Sequence, residues 1–524
     1  MKMVKSLLLG SAAALVAVGG AQAADLPLKA KAVEYVKVCS LYGAGFWYIP
    51  GTDTCVKLSG YLRMDVAINT NADDTGNMSG AGGAHNRFTN AYTWRSREDL
   101  SIDTRTATEY GVLRTFFDGT FSWTDDSFAG TGGGATVYSP VGPFPFGSAP
   151  NNANAGAVAG GTVGVYYAFI QFAGFTMGKA ISEFSAPWTN YPGNNYDGLV
   201  GGGGTVTGVN QFTYTAQFGN GVSAAISAQD PTAYYQAGVM NVSAGGPFGT
   251  SDYGGTAAPD IVGSVTVDQA WGLFKFSAAA HDNHAAYYGG TELTGHPDDR
   301  WGWAVQAALS IKNIPTGPGD VINVQGVFTD GATRYNIQDL AGGNAGAATM
   351  YGSTGLAGAY QSVGFGIAPD TVFGAAVGGG GTAQKLVQTW GGRGGYTHNW
   401  DPYWNTSIYG AWASVHYSGD AAALICGGVV DGLAFAGSIH AITPAGTAIT
   451  TCNPNYNIAQ AGIITRWTPV KNLTFSADFT WQHLDQKMVG TVSAASTTIG
   501  KPAAVYELRN QDNEVLLLRA QRNW

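Results

Sequence analysis

Charge is scarce in this chain. Of 524 residues, 26 are Lys or Arg and 35 are Asp or Glu, 12% in all, where an ordinary soluble domain carries about 25%. That deficit argues against a cytosolic enzyme. Long apolar runs are missing too: hydrophobic residues make up 45% and mean hydropathy is close to zero, whereas each membrane helix needs about 20 consecutive apolar residues. Cysteine is limited to four residues with no CxxC, so neither a zinc knuckle nor a redox dithiol is indicated. Glycine, by contrast, is plentiful at 77 residues, roughly twice the usual share. Aromatics reach 12% with 14 Trp, which excludes both a collagen-like and a disordered chain. A strand-built protein with long polar loops remains.

Residues 1–23 carry Lys2 and Lys5 ahead of an apolar run from Leu7 to Val18, then Ala21-Gln22-Ala23. This is the pattern of a secretory signal peptide. Its removal takes away two positive charges and no acids, so the net charge of −9 becomes −11, and nucleic-acid binding has no electrostatic basis. Export suits disulfides. The cysteines fall into two sequence-local pairs, favouring Cys39 with Cys55 and Cys426 with Cys452 among the three connectivities that four cysteines allow.

From Val56 the chain alternates. Val56, Leu58, Gly60, Leu62, Met64, Val66 and Ile68 point one way; Lys57, Ser59, Tyr61, Arg63, Asp65, Ala67 and Asn69 point the other. Strand side chains alternate faces, and this run is longer than a soluble strand of five or six residues and suits a tilted membrane strand of about ten. Similar alternation occurs at 211–218, at 301–311 (Trp301, Trp303, Val305, Ala307, Leu309, Ile311 on one face) and at 473–482 (Leu473, Phe475, Ala477, Phe479, Trp481).

The connections have a rhythm. Short links near 106–109, 173–174, 219–221, 269–272, 312–319, 399–403 and 468–471 alternate with long ones near 70–91, 124–162, 184–210, 230–258, 283–299, 331–383, 417–456 and 484–513. Eight long and seven short links predict 16 strands with both termini on the short-turn side. Hydrocarbon offers no hydrogen-bond partners, so strands cross it only when every backbone group pairs and the sheet closes. The expected fold is therefore all-β: a 16-stranded antiparallel transmembrane barrel over 55–524 with long extracellular loops and short periplasmic turns, preceded by a periplasmic-side segment at 24–54.

In such a barrel the charged face lines water. Arg63 and Asp65 on the first strand, Arg95, Arg97, Asp99, Asp103 and Arg105 on the second, and Arg114 and Asp118 on the third are expected pore-lining residues. The opposite phase would put arginines into lipid at about 2–4 kcal/mol each at midplane. A structural salt-bridge ladder along the wall is the plainer role for the same residues, and the two roles are compatible. His281-Asp282-Asn283-His284 gives poor metal-ligand spacing, no GxSxG is present, and no catalytic residue, metal or cofactor is expected.

The closing LLLRAQRNW, ending in Trp524, resembles the final strand of outer-membrane proteins, whose last aromatic is read by the barrel-assembly machinery. The stretches VCSLYGAGFWYIPGTDTCVKLSGYLRMD (38–65), GGYTHNWDPYWNTSIYGAWASVHY (394–417), RWTPVKNLTFSADFTW (466–481) and RAQRNW (519–524) cover about 75 residues and resemble the general porins of alphaproteobacteria, the rhizobial type. The resemblance implies an outer-membrane homotrimer of 16-stranded barrels, in contact with lipid and lipopolysaccharide, passing small hydrophilic solutes passively. It also implies that the third long loop, about 184–210, folds inward to narrow the pore. Glu183 and Asp197 are the acids near it and the expected constriction residues, and the Gly201–Gly204 run suits a loop lying against a wall. The acidic net charge suggests a weak cation preference, which the arginines could reverse. The alternatives are a sugar-type selective channel with an aromatic track, for which Tyr61 would fit, a non-conducting anchor or adhesin, and a secreted soluble β-protein.

Overall fold

The alternating run beginning at Cys55 forms the first strand of a closed sheet in the computed structural model of the chain. The structure describes residues 37–69, 92–124, 162–188, 192–196, 198–202, 208–232, 234–243, 250–337, 347–352, 359–376, 380–430, 432–434, 448–494 and 504–524. The expected signal peptide lies outside them. Sixteen strands make the barrel: β1 (Cys55–Ile68), β2 (Tyr92–Thr108), β3 (Gly111–Thr124), β4 (Thr162–Phe172), β5 (Phe175–Ala180), β6 (Val209–Gly219), β7 (Val222–Gln229) and β8 (Asp260–Gln269). The second half comprises β9 (Gly272–Asn283), β10 (Arg300–Lys312), β11 (Val321–Asp330), β12 (Lys385–Asn399), β13 (Trp404–Tyr417), β14 (Tyr456–Val470), β15 (Leu473–Gln486) and β16 (Gln511–Asn523). Each strand pairs antiparallel with the next, and β16 returns to β1 from Tyr61↔Asn523 to Ile68↔Leu516. Closure leaves no edge, as a hydrocarbon environment requires.

The phase of the strands is the expected one. Leu62 is 60% exposed on the outer surface while Asp65 is fully buried on the inner face. Leu58, Met64, Phe212, Trp301, Trp303 and Phe475 also face out. Trp404, Trp467 and Phe475 stack in a row at successive centroid spacings of 5.7 Å near the short-turn end, where interfacial aromatics are favoured. The short turns are built where left-handed backbone is cheap: Gly219, Asn220 and Gly221 all have positive φ.

Of the departures from a regular cylinder, three bear on the site. β5 has only six residues, so the chain leaves the wall at Ala180 and rejoins it at Val209. The β3–β4 ladder slips by one residue at Asp118/Gly119, leaving Tyr166 as an extra residue between Val165 and Tyr167. At the long-loop end the connections carry a core of their own, in which Ile337, Val363, Val372, Tyr417, Leu424, Tyr456, Tyr506 and Leu508 are buried together. Helix α1 (Gly419–Cys426) belongs to that core, capped by Ser418 Oγ accepting from Ala421 N and ended by Gly427 in the left-handed region. Cys426–Cys452 ties it down, and Cys39–Cys55 fastens the N-terminal segment to β1. Both are the favoured pairs.

Candidate functional site: the inner wall and the loop after β5

The charged side chains of β1–β3 form a connected ladder on the inner face. Asp65 receives Arg95 Nε at 3.0 Å and Arg519 Nε at 2.6 Å. Arg63 Nε donates to Gln521 Oε1 at 2.8 Å, and its guanidinium lies 4.3 Å from the Tyr61 ring centroid. Arg97 donates to Ser122 Oγ at 2.8 Å and Tyr166 Oη at 2.6 Å. Asp103 is shared by Arg105 at 2.9 Å and Arg114 at 3.0 Å. Asp99 and Asp118 are buried, and Ser101 Oγ donates to Asp118 at 2.5 Å. The nine charged residues expected on this wall are thus all on its inner face. They differ in access: Asp65 and Arg95 are buried, while Arg97, Arg105 and Arg114 are half-buried. Arg105 also stacks 4.9 Å from the Phe46 ring centroid, which places the N-terminal segment against this end of the wall.

The chain after Ala180 runs out and back along the other half of the inner wall. Phe184 O accepts from Gln306 Nε2 at 2.7 Å on β10, Pro192 O from Asn323 Nδ2 at 3.0 Å on β11, and Gly193 O from Arg466 Nη2 at 3.0 Å on β14. Asn195 N donates to Asp478 Oδ2 at 2.7 Å on β15, while Tyr196 packs with Ala67, Val515 and Leu517 at the β16–β1 seam. The return leg meets Gln460 through Val200 N at 2.9 Å and Arg393 through Leu199 O at 3.0 Å. Gly201 has φ +90°, and a Cβ there would lie 2.3 Å from Gly392 O; at Gly202 it would lie 1.6 Å from Gln325 Nε2. Only glycine fits this approach.

Glu183 opens the segment. Its Oε2 accepts from Ser264 Oγ at 2.9 Å and Lys275 Nζ at 3.5 Å, tying it to β8 and β9. Asp197 lies outside the described residues. Sequence reasoning missed Arg393, Arg466, Arg519 and Asp478, which hold the seam and the loop. Arg519 was readable in principle, because Gln511, Asn513 and Arg519 share one phase; the Val-Leu-Leu-Leu run at 515–518 hides it by being apolar on both faces.

His281 and His284 do not come together. Buried His281 sits with Nδ1 2.8 Å from Asp260 and Nε2 3.4 Å from Asp370, in a node where Tyr335 Oη donates to Asp260 at 2.5 Å. His284 pairs with Asp299 at 2.8 Å instead.

A closed 16-stranded sheet, apolar outside and charged inside, defines a transmembrane β-barrel. The profile of a family described as "Porin subfamily" matches residues 25–516, and the chain belongs to that family. Porin Omp2b of Brucella suis biovar 1 (strain 1330) is 36% identical over 273 residues, 51% of this chain and 63% of the relative. Porin Omp2a of Brucella ovis is 39% identical over 233 residues, 43% of this chain and 59% of the relative. The match therefore spans less than two thirds of these curated relatives. Among solved structures, the outer membrane channel DcaP of Acinetobacter baumannii is similar in fold, with a TM-score of 0.55 at 14% identity, covering 91% of this chain and 99% of that one. Family and barrel together make this a multi-pass protein of the outer membrane.

Proposed function

We propose that the protein is a passive, water-filled diffusion channel, not an enzyme, and that it works as a homotrimer. The observation that supports this reading is the inner wall itself: the described residues of the segment after Ala180 are held inside the barrel by hydrogen bonds to β8–β15, and a ladder of charged side chains on β1–β3 lines the same interior. Solute passes between the ladder and the loop at about 184–210, whose described residues narrow the pore, with Glu183 at the entrance. Field strength at such a narrowing sets selectivity. The acidic chain attracts cations, and the half-buried Arg97, Arg105 and Arg114 of the inner wall oppose it, which keeps selectivity weak. The trimer rests on membership of a porin family, and exposed Trp524, whose backbone pairs with Gly60, offers the terminal aromatic for barrel assembly.

Planar-bilayer recording of the purified protein tests this. Ohmic steps that close in threes support a trimeric pore, whereas protein that is folded by gel shift yet electrically silent would instead mark an anchor.

A further inference from the structure

The bulge at Tyr166 brings aromatic rings onto the inner face beside the start of the constriction. Phe116 of β3 lies 5.3 Å from Phe169 and 6.2 Å from Tyr167, centroid to centroid. These rings are half-buried on the wet phase of the strands, where any polar residue would serve simple diffusion. They line a cavity of about 410 Å³ with Arg114, Gln171 and Glu183, within the roughly 300–1,000 Å³ range of small-molecule sites.

The polar rim is held in place and keeps spare capacity. Arg114 is fixed by two bonds to Asp103 and one to Gln171 Oε1 at 2.9 Å, which uses three of its five N–H groups. Gln171 Nε2 donates to Thr176 Oγ1 at 3.1 Å. Both bonds to Glu183 fall on Oε2, leaving Oε1 unengaged among the described residues. The two charged groups lining the cavity have opposite signs, so the site offers no net attraction to an ion. The Arg114 guanidinium lies 4.9 Å from the Phe116 centroid and 5.5 Å from the Phe169 centroid; the apolar ring surface left exposed, the donors and acceptors around it and the balanced charge together favour a neutral, polyhydroxylated ring with an apolar face.

We infer that Phe116, Tyr167 and Phe169, with Arg114, Gln171 and Glu183 at the rim, form a binding subsite for a neutral sugar ring on the wall of the channel. This deepens the channel reading and rests on it. A solute that pauses here at the constriction would cross faster at low concentration and saturate at high concentration.

The test uses the full-length protein with glucose and maltose as probes. In bilayers, sugar should lower the open-channel current along a saturating curve. The Phe116→Ala/Phe169→Ala double variant should raise the half-blocking concentration at least tenfold, and Phe169→Tyr should stay near wild type. Saturation-transfer NMR of glucose with the detergent-solubilised protein reads binding without requiring conductance, and the gel shift confirms that each variant folds. A current decrease that is linear in sugar and equal in the double variant, together with no transfer signal, overturns the subsite while leaving the channel intact. Benzoate blocking more strongly than glucose overturns the assignment of a neutral sugar. Silent bilayers with a sugar signal abolished in the double variant would uphold the subsite and remove the channel reading.

Discussion

Asp65 on the first strand and Arg519 on the last meet at 2.6 Å across the seam that closes the barrel. The same carboxylate takes Arg95 of β2, and both arginines are its direct cross-strand partners. One buried acid thus joins three consecutive strands, and a slip of two residues at the seam would set it against Leu517 or Gln521 instead of Arg519. Charge specifies the register at closure, where the apolar run of β16 is least able to do so.

Asp65→Asn should remove the carboxylate charge that buried Arg95 and part-buried Arg519 share. Removing one partner of a buried pair costs about 3–5 kcal/mol. The temperature at which the folded band converts to the unfolded band on gels should fall clearly, and Arg519→Leu made together with Asp65→Asn should recover part of the loss. An unchanged transition for Asp65→Asn would remove the seam from the stability account.

Arg97 and Arg95 should separate in their effects although both lie on the inner face. Arg97→Glu reverses a half-buried charge on the inner wall and should move the reversal potential in a salt gradient toward cation selectivity. Arg95 is buried against Asp65, so Arg95→Glu places two acids together and should reduce the yield of folded barrel. Equal selectivity shifts from two well-folded variants would mean that both guanidiniums reach the solute path.

Gly201→Val tests the seating of the constriction. Its positive φ and the approach to Gly392 O leave no room for a side chain, and strain of this kind costs about 1–3 kcal/mol. The return leg should lift from the wall, which single-channel recording would show as altered conductance with more frequent fluctuation. Unaltered, quiet conductance would detach this leg from the pore.

How much of this was legible depends on which force sets each feature. Alternation at 55–68 and 301–311 exposed strand phase because lipid and water impose opposite demands on neighbouring residues. The turns were legible where Gly219-Asn220-Gly221 or similar breakers stand between strands. The seating of the described residues between Ile181 and Gly202 was not: Asn195 on Asp478 and Val200 on Gln460 are partners more than 250 positions apart, and no local periodicity encodes them. The aromatic cluster was hidden for another reason, since the bulge at Tyr166 shifts the phase midway along β4. Glu183 was found by its position beside the loop, but its partner Lys275 lies on β9, beyond β6, where the chain rejoins the wall, with no local signal linking the two.

Asp320, in the turn before β11, is buried, which alone would raise its pKa. Hydrogen bonds from Thr316 Oγ1 at 2.6 Å, Asn399 N at 2.9 Å, His398 at 2.7 Å and Tyr396 Oη at 3.0 Å prevail and hold the carboxyl below its usual range. A depressed folded pKa contributes stability that is fully present above the unfolded value of about 3.9 and is lost as pH falls through the folded value. The stability difference between wild type and Asp320→Asn should therefore be present at about pH 4 and shrink as pH falls below it. A difference that grows with acid would reverse the sign of this account.

The central claim, a wet inner face and a lipid-covered outer face, is tested most directly at two adjacent residues of β1. All four native cysteines are in disulfides, so a new cysteine supplies the only thiol. In protein reconstituted into liposomes, Arg63→Cys should react readily with a charged, water-soluble maleimide and lose conductance on labelling, while Leu62→Cys should stay unreacted. Labelling of Leu62→Cys with protection of Arg63→Cys would contradict the account.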